Sequence, residues 1–344
     1  MTTGMPVVLD CTLRDGGNQN NWGFSQEQAN RIVAELDAGG IDVIEVGYRG
    51  GSGSRRDPRS GLCADSGASF LAALPDRARA RLAVMVVPSV CGLDEVDDLA
   101  RLGVDVLRVA AYPWDAHLTE PFIRRAKETG MTVSLNLMAV SYVSPEELRR
   151  MAGELPEQPD VFYLADSFGA LRSNEIARRV ETLSRHASFE IGVHVHNNLG
   201  LAAANTLAAL DAGATWADAS LCGMARGAGN LATEQLAALL HTQPEQRTRA
   251  DLHKVCAAAT YVESEILPNP MRIGPDEIAA GVNNHHYYFQ PLIREESSRF
   301  GLDPLEVGRE LGLTRPRSVR LEHVTTVCEG IRARQAGHEE GAQP

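Results

Sequence analysis

Positive charge is in short supply along these 344 residues: 33 Lys and Arg face 45 Asp and Glu, a formal net charge of −12. Such a field repels phosphate backbones, so no nucleic-acid partner is expected and the ligand is expected to be a small molecule. Cysteine is sparse. The six (Cys11, Cys63, Cys91, Cys222, Cys256, Cys328) stand far apart without a CxxC pair, which excludes a zinc knuckle or dithiol redox centre and leaves reduced, mostly buried thiols. Long apolar runs are missing as well: the densest, Leu82 to Val90, is broken by Pro88 and too short to span a bilayer. The first residues lack the basic, apolar and small-residue succession of a signal peptide, so a cytoplasmic location without membrane attachment is expected. A composition of 44% hydrophobic and 23% charged residues excludes disordered and fibrous classes.

What the chain does have is a recurring short apolar or β-branched run. Eight are present: Val7–Leu13, Asp42–Tyr48, Arg81–Val87, Asp105–Ala111, Thr132–Met138, Val161–Asp166, Glu190–His196 and Trp216–Leu221. Segments of helical spacing separate them, the first with Ala29, Ile32, Val33 and Leu36 on one face, Ser25 as cap, Gln28 three residues on, and Gly39-Gly40 as its end. Eight strand-helix alternations in about 240 residues fit a (β/α)8 TIM barrel, and no early GxGxxG supports an open doubly wound sheet instead. The barrel is assigned to residues 1–265. After the linker Leu267–Pro275, residues 266–335 are expected to form a small C-terminal α-helical domain that includes Gln290–Phe300 and Arg320–Arg332, and 336–344 a disordered tail.

In a barrel the chemistry gathers where strands end, and polar residues are dense there. The first run ends in Arg14, Asp15, Gly16, Gly17, a guanidinium beside a carboxylate before two glycines that permit a tight turn. The seventh carries His194 and His196 at i and i+2, so both imidazoles share one side of the strand, into the barrel or out toward the helices. If inward, they can meet Asp15 and form a face of two imidazoles and one carboxylate, which holds one divalent cation with about three octahedral positions open. Open positions suit a bidentate 2-oxo acid whose keto oxygen gains negative charge, with Arg14 as a fixed cation beside that oxygen. Mn2+ is expected, with Mg2+, Co2+ or Zn2+ as alternatives.

These stretches resemble the DRE-TIM metallolyase superfamily in Asp10–Gly17 (DCTLRDGG), the HxH of His194–His196 and Gly227–Glu234 (GAGNLATE). Ala165–Leu171 and the region Asp251–Ile331 resemble its 4-hydroxy-2-oxovalerate aldolase branch, the latter its C-terminal communication domain. The resemblance implies Asp15, His194 and His196 as metal ligands, Asn230 as a further one, and Arg14 as the residue that stabilises the enolate. It implies a metal-dependent carbon-carbon lyase acting on a 2-oxo acid, pyruvate, and an aldehyde, in a homo-oligomer. It also implies a partner, an acylating aldehyde dehydrogenase that receives the aldehyde; Gly312–His323 departs from that branch's pattern.

A second departure concerns the base. The aldolase branch has a histidine three residues after the metal-binding Asp, where this chain has Asn18, and an amide cannot take a proton. His285 or His286, in the stretch Asn283–Phe289, is the expected replacement, with Tyr48 or hydroxide held on the metal as competitors. The loop Gly47–Arg56 offers Arg49, Arg55 and Arg56 to an anionic substrate group, and Asp166 and Ser167 offer hydrogen bonds to water at the metal. Two rivals share the barrel: a Claisen-type synthase that joins an acyl-CoA to a 2-oxo acid, and a barrel that binds without turnover.

Overall fold

The computed structural model describes residues 4–51, 60–185, 188–243 and 248–340. Eight parallel strands close into a barrel in sequence order: β1 (Val7–Asp10), β2 (Val43–Arg49), β3 (Arg81–Val86), β4 (Val106–Ala111), β5 (Thr132–Leu137), β6 (Val161–Asp166), β7 (Glu190–Val195) and β8 (Trp216–Ala219). Around and after them run α1 (Gln26–Ala38), α2 (Ala68–Ala72), α3 (Asp94–Arg101), α4 (Glu120–Glu128), α5 (Pro145–Gly153), α6 (Ser173–Ser184), α7 (Ala202–Asp211), α8 (Thr233–His241) and α9 (Leu252–Glu265). The expected (β/α)8 barrel is borne out, as is the cap of α1, where the Ser25 and Gln28 side chains bond each other's backbone N–H groups.

Several strands stop short of their apolar runs because the chain leaves the sheet where polar groups take over its hydrogen bonds. After β1 the Cys11 carbonyl accepts from the Arg14 and Asp15 N–H groups at 3.1 and 2.8 Å, so Cys11–Leu13 is a turn and not strand. His196 lies beyond β7 and bridges Asn230.

Side chains alternate in and out along each strand, which builds the lumen in layers. The lowest is apolar: Leu9, Val43, Ala83, Val106, Val161 and Trp216 pack together. Two residues on along the same strands come Glu45 and Arg108, with Tyr163 and Asp218, a polar layer wholly buried. The larger apolar core fills the space between strands and helices.

Helices α10 (Pro275–Val282), α11 (Gln290–Phe300), α12 (Pro304–Leu313) and α13 (Leu321–Glu340) follow the barrel. Ile293, Val307, Leu311, Val324, Cys328 and Ile331 form a separate core among α11–α13. The helix expected at Gln290–Phe300 appears with those bounds, whereas α13 continues through Glu340, across the stretch from Ala336 expected to be disordered. Residues 341–344 lie outside the described residues.

Candidate metal centre

The turn after β1 swings Arg14 and Asp15 across the barrel mouth. Gly17 is required there because a Cβ would stand 2.1 Å from the Trp22 ring, whose Nε1 donates to the Arg14 carbonyl at 2.6 Å. On the other side of β8, the two histidines point inward. Oδ2 of Asp15 lies 3.4 Å from His194 Nε2 and 3.7 Å from His196 Nε2, and one donor atom of each residue lies within 4.8 Å of the others. All three residues are buried.

Asn230 closes the fourth side. Its Nδ2 donates to Asp15 Oδ2 at 2.9 Å, and its position depends on Gly229, which has φ +86° and whose absent side chain would meet the Gly223 carbonyl at 2.3 Å. Among the described residues two buried atoms here lack any hydrogen-bond partner, His196 Nε2 and Asn230 Oδ1. A buried unpaired acceptor is costly, and both are donor types that a hard or borderline cation takes. The residues present therefore fit a divalent metal: with an ion bound, His196 Nε2 gains its partner and the Asn230 amide is free to turn its oxygen inward.

A chain of alternating charges orients this set from below. Asp218 Oδ2 accepts from His194 Nδ1 at 3.0 Å, which leaves Nε2 to face Asp15. Arg108 donates to that same Asp218 oxygen at 2.6 Å and to Glu45 Oε2 at 2.9 Å, and Glu45 in turn accepts from Arg14 Nε at 2.8 Å. Arg14 Nη1 returns to Asp15 Oδ1 at 3.0 Å. Burial by itself raises the Asp15 carboxyl, but Arg14, the His194 hydrogen bond and the His196 and Arg226 charges outweigh it and hold the group well below the usual carboxylate range. For His196 burial dominates, reinforced by the Arg226 charge, and keeps the imidazole neutral, the form that ligates. His194 is also desolvated, yet its hydrogen bonds to Asp15 and Asp218 pull its pKa above the ordinary value.

Cys11, His194 and Asp218 form a second cluster of donor types. The thiol donates to the Ala219 carbonyl at 3.2 Å, and burial pushes it far up, so it remains a thiol and a packing group.

Beside the donors opens a cavity of about 730 Å³, which runs under the ends of β2–β5. Tyr48 and His286 both line it. His286 stacks on Tyr288 at 4.7 Å, shares a recess with His196 and Arg226, and its buried Nδ1 has no partner among the described residues. Asn18 binds the Asp15 carbonyl through Nδ2 at 2.8 Å and accepts from the Tyr288 hydroxyl at 3.1 Å, a tie between the barrel and the C-terminal segment.

Other expected residues lie elsewhere. His285 is fully buried, donates from Nδ1 to the His286 carbonyl at 3.2 Å and packs on Phe289; it is not in the cavity wall, because the bend after α10 turns it inward, with its N–H on the Ala280 carbonyl. Arg49 is bound to Glu95 and the Ser66 carbonyl, and Arg55 and Arg56 lie outside the described residues. Asp166 accepts from the Ala170 and Leu171 N–H groups, and the Ser167 hydroxyl accepts from the Ala139 N–H, so both brace turns.

Glu45, Arg108, Asp218 and Arg226 are absent from the sequence-based set. The first three had a visible signal, a single charge in the middle of an otherwise apolar strand. Arg226, with Nη1 3.9 Å from Asp15 Oδ1, had none beyond its nearness to Gly227–Glu234.

A histidine on β7 and another just beyond it face a carboxylate after β1 at the mouth of a barrel closed in sequence order, and the chain as a whole matches a known family. The HMGL-like family model covers residues 6–262, and the chain belongs to that family. A 4-hydroxy-2-oxovalerate aldolase of Geobacillus genomosp. 3 is 34% identical over 307 residues, 89% of this chain and 90% of the relative. Another of that name from Thermus thermophilus is 32% identical over 98% of this chain and 97% of its own length. The crystal structure of the N-terminal domain of a putative aldolase from Bacteroides vulgatus superposes with a TM-score of 0.72 at 25% identity, covering 82% of this chain and 94% of that one. The resemblance to the DRE-TIM metallolyases and their aldolase branch is thereby borne out, and with it an enzyme of the lyase class that depends on a divalent metal. No helix among the described residues is long and apolar enough to cross a membrane.

Proposed function

We propose that the chain is an aldolase that makes or breaks a carbon-carbon bond between pyruvate, as its enolate, and an aldehyde, with a 4-hydroxy-2-oxo acid as the joined species. The observation that carries this is the convergence of Asp15, His194 and His196 beside Arg14, with a buried imidazole nitrogen left unpaired. Asp15, His194 and His196 would hold the cation, with Asn230 Oδ1 as a fourth donor, and Mn2+ suits two imidazoles with one carboxylate. A divalent cation there supplies Lewis-acid stabilisation of negative charge on a keto oxygen.

The rest is the work of side chains. Arg14, pinned by Glu45 and Asp15, keeps a fixed positive charge next to that oxygen without giving up a proton. Arg226 lines the cavity, anchored by its bond to the Ser167 carbonyl at 3.3 Å and by Asp15 at 3.9 Å, and would place its positive charge toward the substrate carboxylate. His286 is the base that takes the proton from the 4-hydroxyl in cleavage and returns it in addition. Burial and the Arg226 charge keep its imidazole neutral, and Nδ1 has a lone pair or proton to exchange. Tyr48 is the weaker candidate, since burial raises its phenol and leaves it protonated, fit to donate and not to accept.

The test is release of pyruvate from 4-hydroxy-2-oxo acids with Mn2+, followed by mass detection. The expected outcome is activity that a chelator abolishes and Mn2+ restores. His286→Ala should cost about a hundredfold or more in turnover while Tyr48→Phe keeps most of it. Release that survives chelation overturns the reading, and thiol release from an acyl-CoA in the presence of pyruvate would favour the synthase. The homo-oligomer and the acylating aldehyde dehydrogenase partner belong to the same proposal, tested by light scattering and co-purification.

A further inference from the structure

The cavity beside the metal donors is far larger than the smallest aldol partner needs. At about 30 Å³ per water, its 730 Å³ has room for about two dozen, whereas a two-carbon aldehyde displaces about three. The volume falls in the range of about 300–1,000 Å³ that sites for much larger ligands occupy. Its walls are also of a different kind from the metal end. Above the polar layer of the lumen, β3 and β4 present Met85 and Ala110, Met138 follows the end of β5, and Trp22, Tyr48 and Val87 complete an apolar side.

A cation waits at the rim. Arg317, in the connection between α12 and α13, lines the cavity with its guanidinium 4.7 Å from the Trp114 ring, and Trp114 stacks on Tyr112 at 4.8 Å and 6°. Among the described residues no carboxylate pairs with Arg317; Asp115 is the one acidic residue in the lining, set against Arg226 and Arg317. The stacked rings hold a planar, exposed guanidinium in place, a form suited to bidentate capture of an anion.

We propose, resting on the aldolase reading above, that the carbonyl partner is a large aldehyde with an aromatic or long alkyl body and an anionic far end. Its body lies against Met85, Ala110 and Met138, and its anion meets Arg317. The chemistry balances: C3 of pyruvate gives up a proton, bonds to the aldehyde carbon, and the aldehyde oxygen takes up a proton as the new 4-hydroxyl.

The experiment compares kcat/KM in the addition direction, with Mn2+ and pyruvate, for acetaldehyde, benzaldehyde, 4-carboxybenzaldehyde, hexanal, 6-oxohexanoate and 4-formylphenyl phosphate. The carboxylate and phosphate arms tell apart two sources of the anion. At least one large anionic aldehyde should exceed acetaldehyde by tenfold or more. Arg317→Ala should lower the ratio of anionic to neutral aldehyde of equal size at least tenfold, and Ala110→Leu should lower the ratio of large to small. Acetaldehyde as the best acceptor, or ratios unmoved by both variants, overturns the proposal. Deuterium exchange at C3 of pyruvate is read in parallel: exchange with acetaldehyde preferred sinks the large acceptor alone, whereas no exchange and no aldehyde consumed sinks the aldolase reading itself.

Discussion

The two halves of the barrel mouth are built from the same strand-helix unit and differ in what their last inward positions carry. Around β1, β7 and β8 the lumen is filled by Asp15, His194, His196 and Asn230, held from below by Glu45, Arg108 and Asp218. Around β2–β5 the corresponding positions are Tyr48, Met85, Ala110 and Met138, and the space is open. The charges under the full half are interlocked across the barrel, with Glu45 of β2 between Arg14 and Arg108, and Arg108 of β4 between Glu45 and Asp218 of β8. In the open half nothing directional fixes a ligand until the rim. One half sets where electrons go, and the other sets what is allowed to approach.

The sharpest way to break this contrast is to empty the polar layer. Arg108→Met leaves Glu45 and Asp218 buried against each other, and loss of one partner in such a network costs about 3–5 kcal/mol of stability, read by urea unfolding. If the variant is as stable as the parent, the charge chain is not what holds that half together.

A subtler change should separate orientation from stability. Asp218→Asn keeps shape but no longer fixes the His194 tautomer, and a loss of about 10–100-fold in Mn2+ affinity is expected by calorimetric titration, with a destabilisation smaller than that of Arg108→Met because the Arg108 guanidinium keeps Glu45 as its partner.

The smallest effect lies outside both halves and serves as a reference for acid titrations. Asp37, at the end of α1, accepts from the N–H groups of Ala78, Arg79 and Ala80 at 2.8, 2.9 and 2.7 Å. Burial alone would raise this carboxyl, but those three bonds lower it below its ordinary value. A lowered folded pKa means that the stabilisation is complete above the unfolded value of about 3.9 and fades as pH falls from there through the folded value. Asp37→Asn should therefore destabilise by about 1 kcal/mol at pH 7 and by progressively less below pH 4. An Asn variant whose deficit stays constant from pH 7 to pH 3 would show that the charge of Asp37 is irrelevant.

The full half was largely legible in the sequence and the open half was not. Arg14-Asp15-Gly16-Gly17 and the HxH are short-range signals: two glycines announce a turn, and a spacing of two puts His194 and His196 on one side. Glu45, Arg108 and Asp218 escaped because a lone charge in an apolar run reads equally as a strand edge, and only closure of the barrel makes them neighbours. The choice between His285 and His286 could not be made from adjacent identical letters, since it depends on how the bend between α10 and α11 settles on the barrel. The cavity left no local trace, because Met85, Ala110 and Met138 lie on or just after three strands and look like ordinary core. Arg317 was hidden in a stretch marked only by its departure from the aldolase pattern.

The tie between Tyr288 and Asn18 carries a consequence for traffic. Asp15 and His196 are almost wholly enclosed, whereas Tyr288 and Leu118, on the cavity's outer boundary, are 53% and 38% exposed. With the C-terminal arm tied to the turn beside Asp15, a ligand that enters the larger cavity at its exposed boundary passes Met85, Ala110 and Met138 on its way to the metal donors.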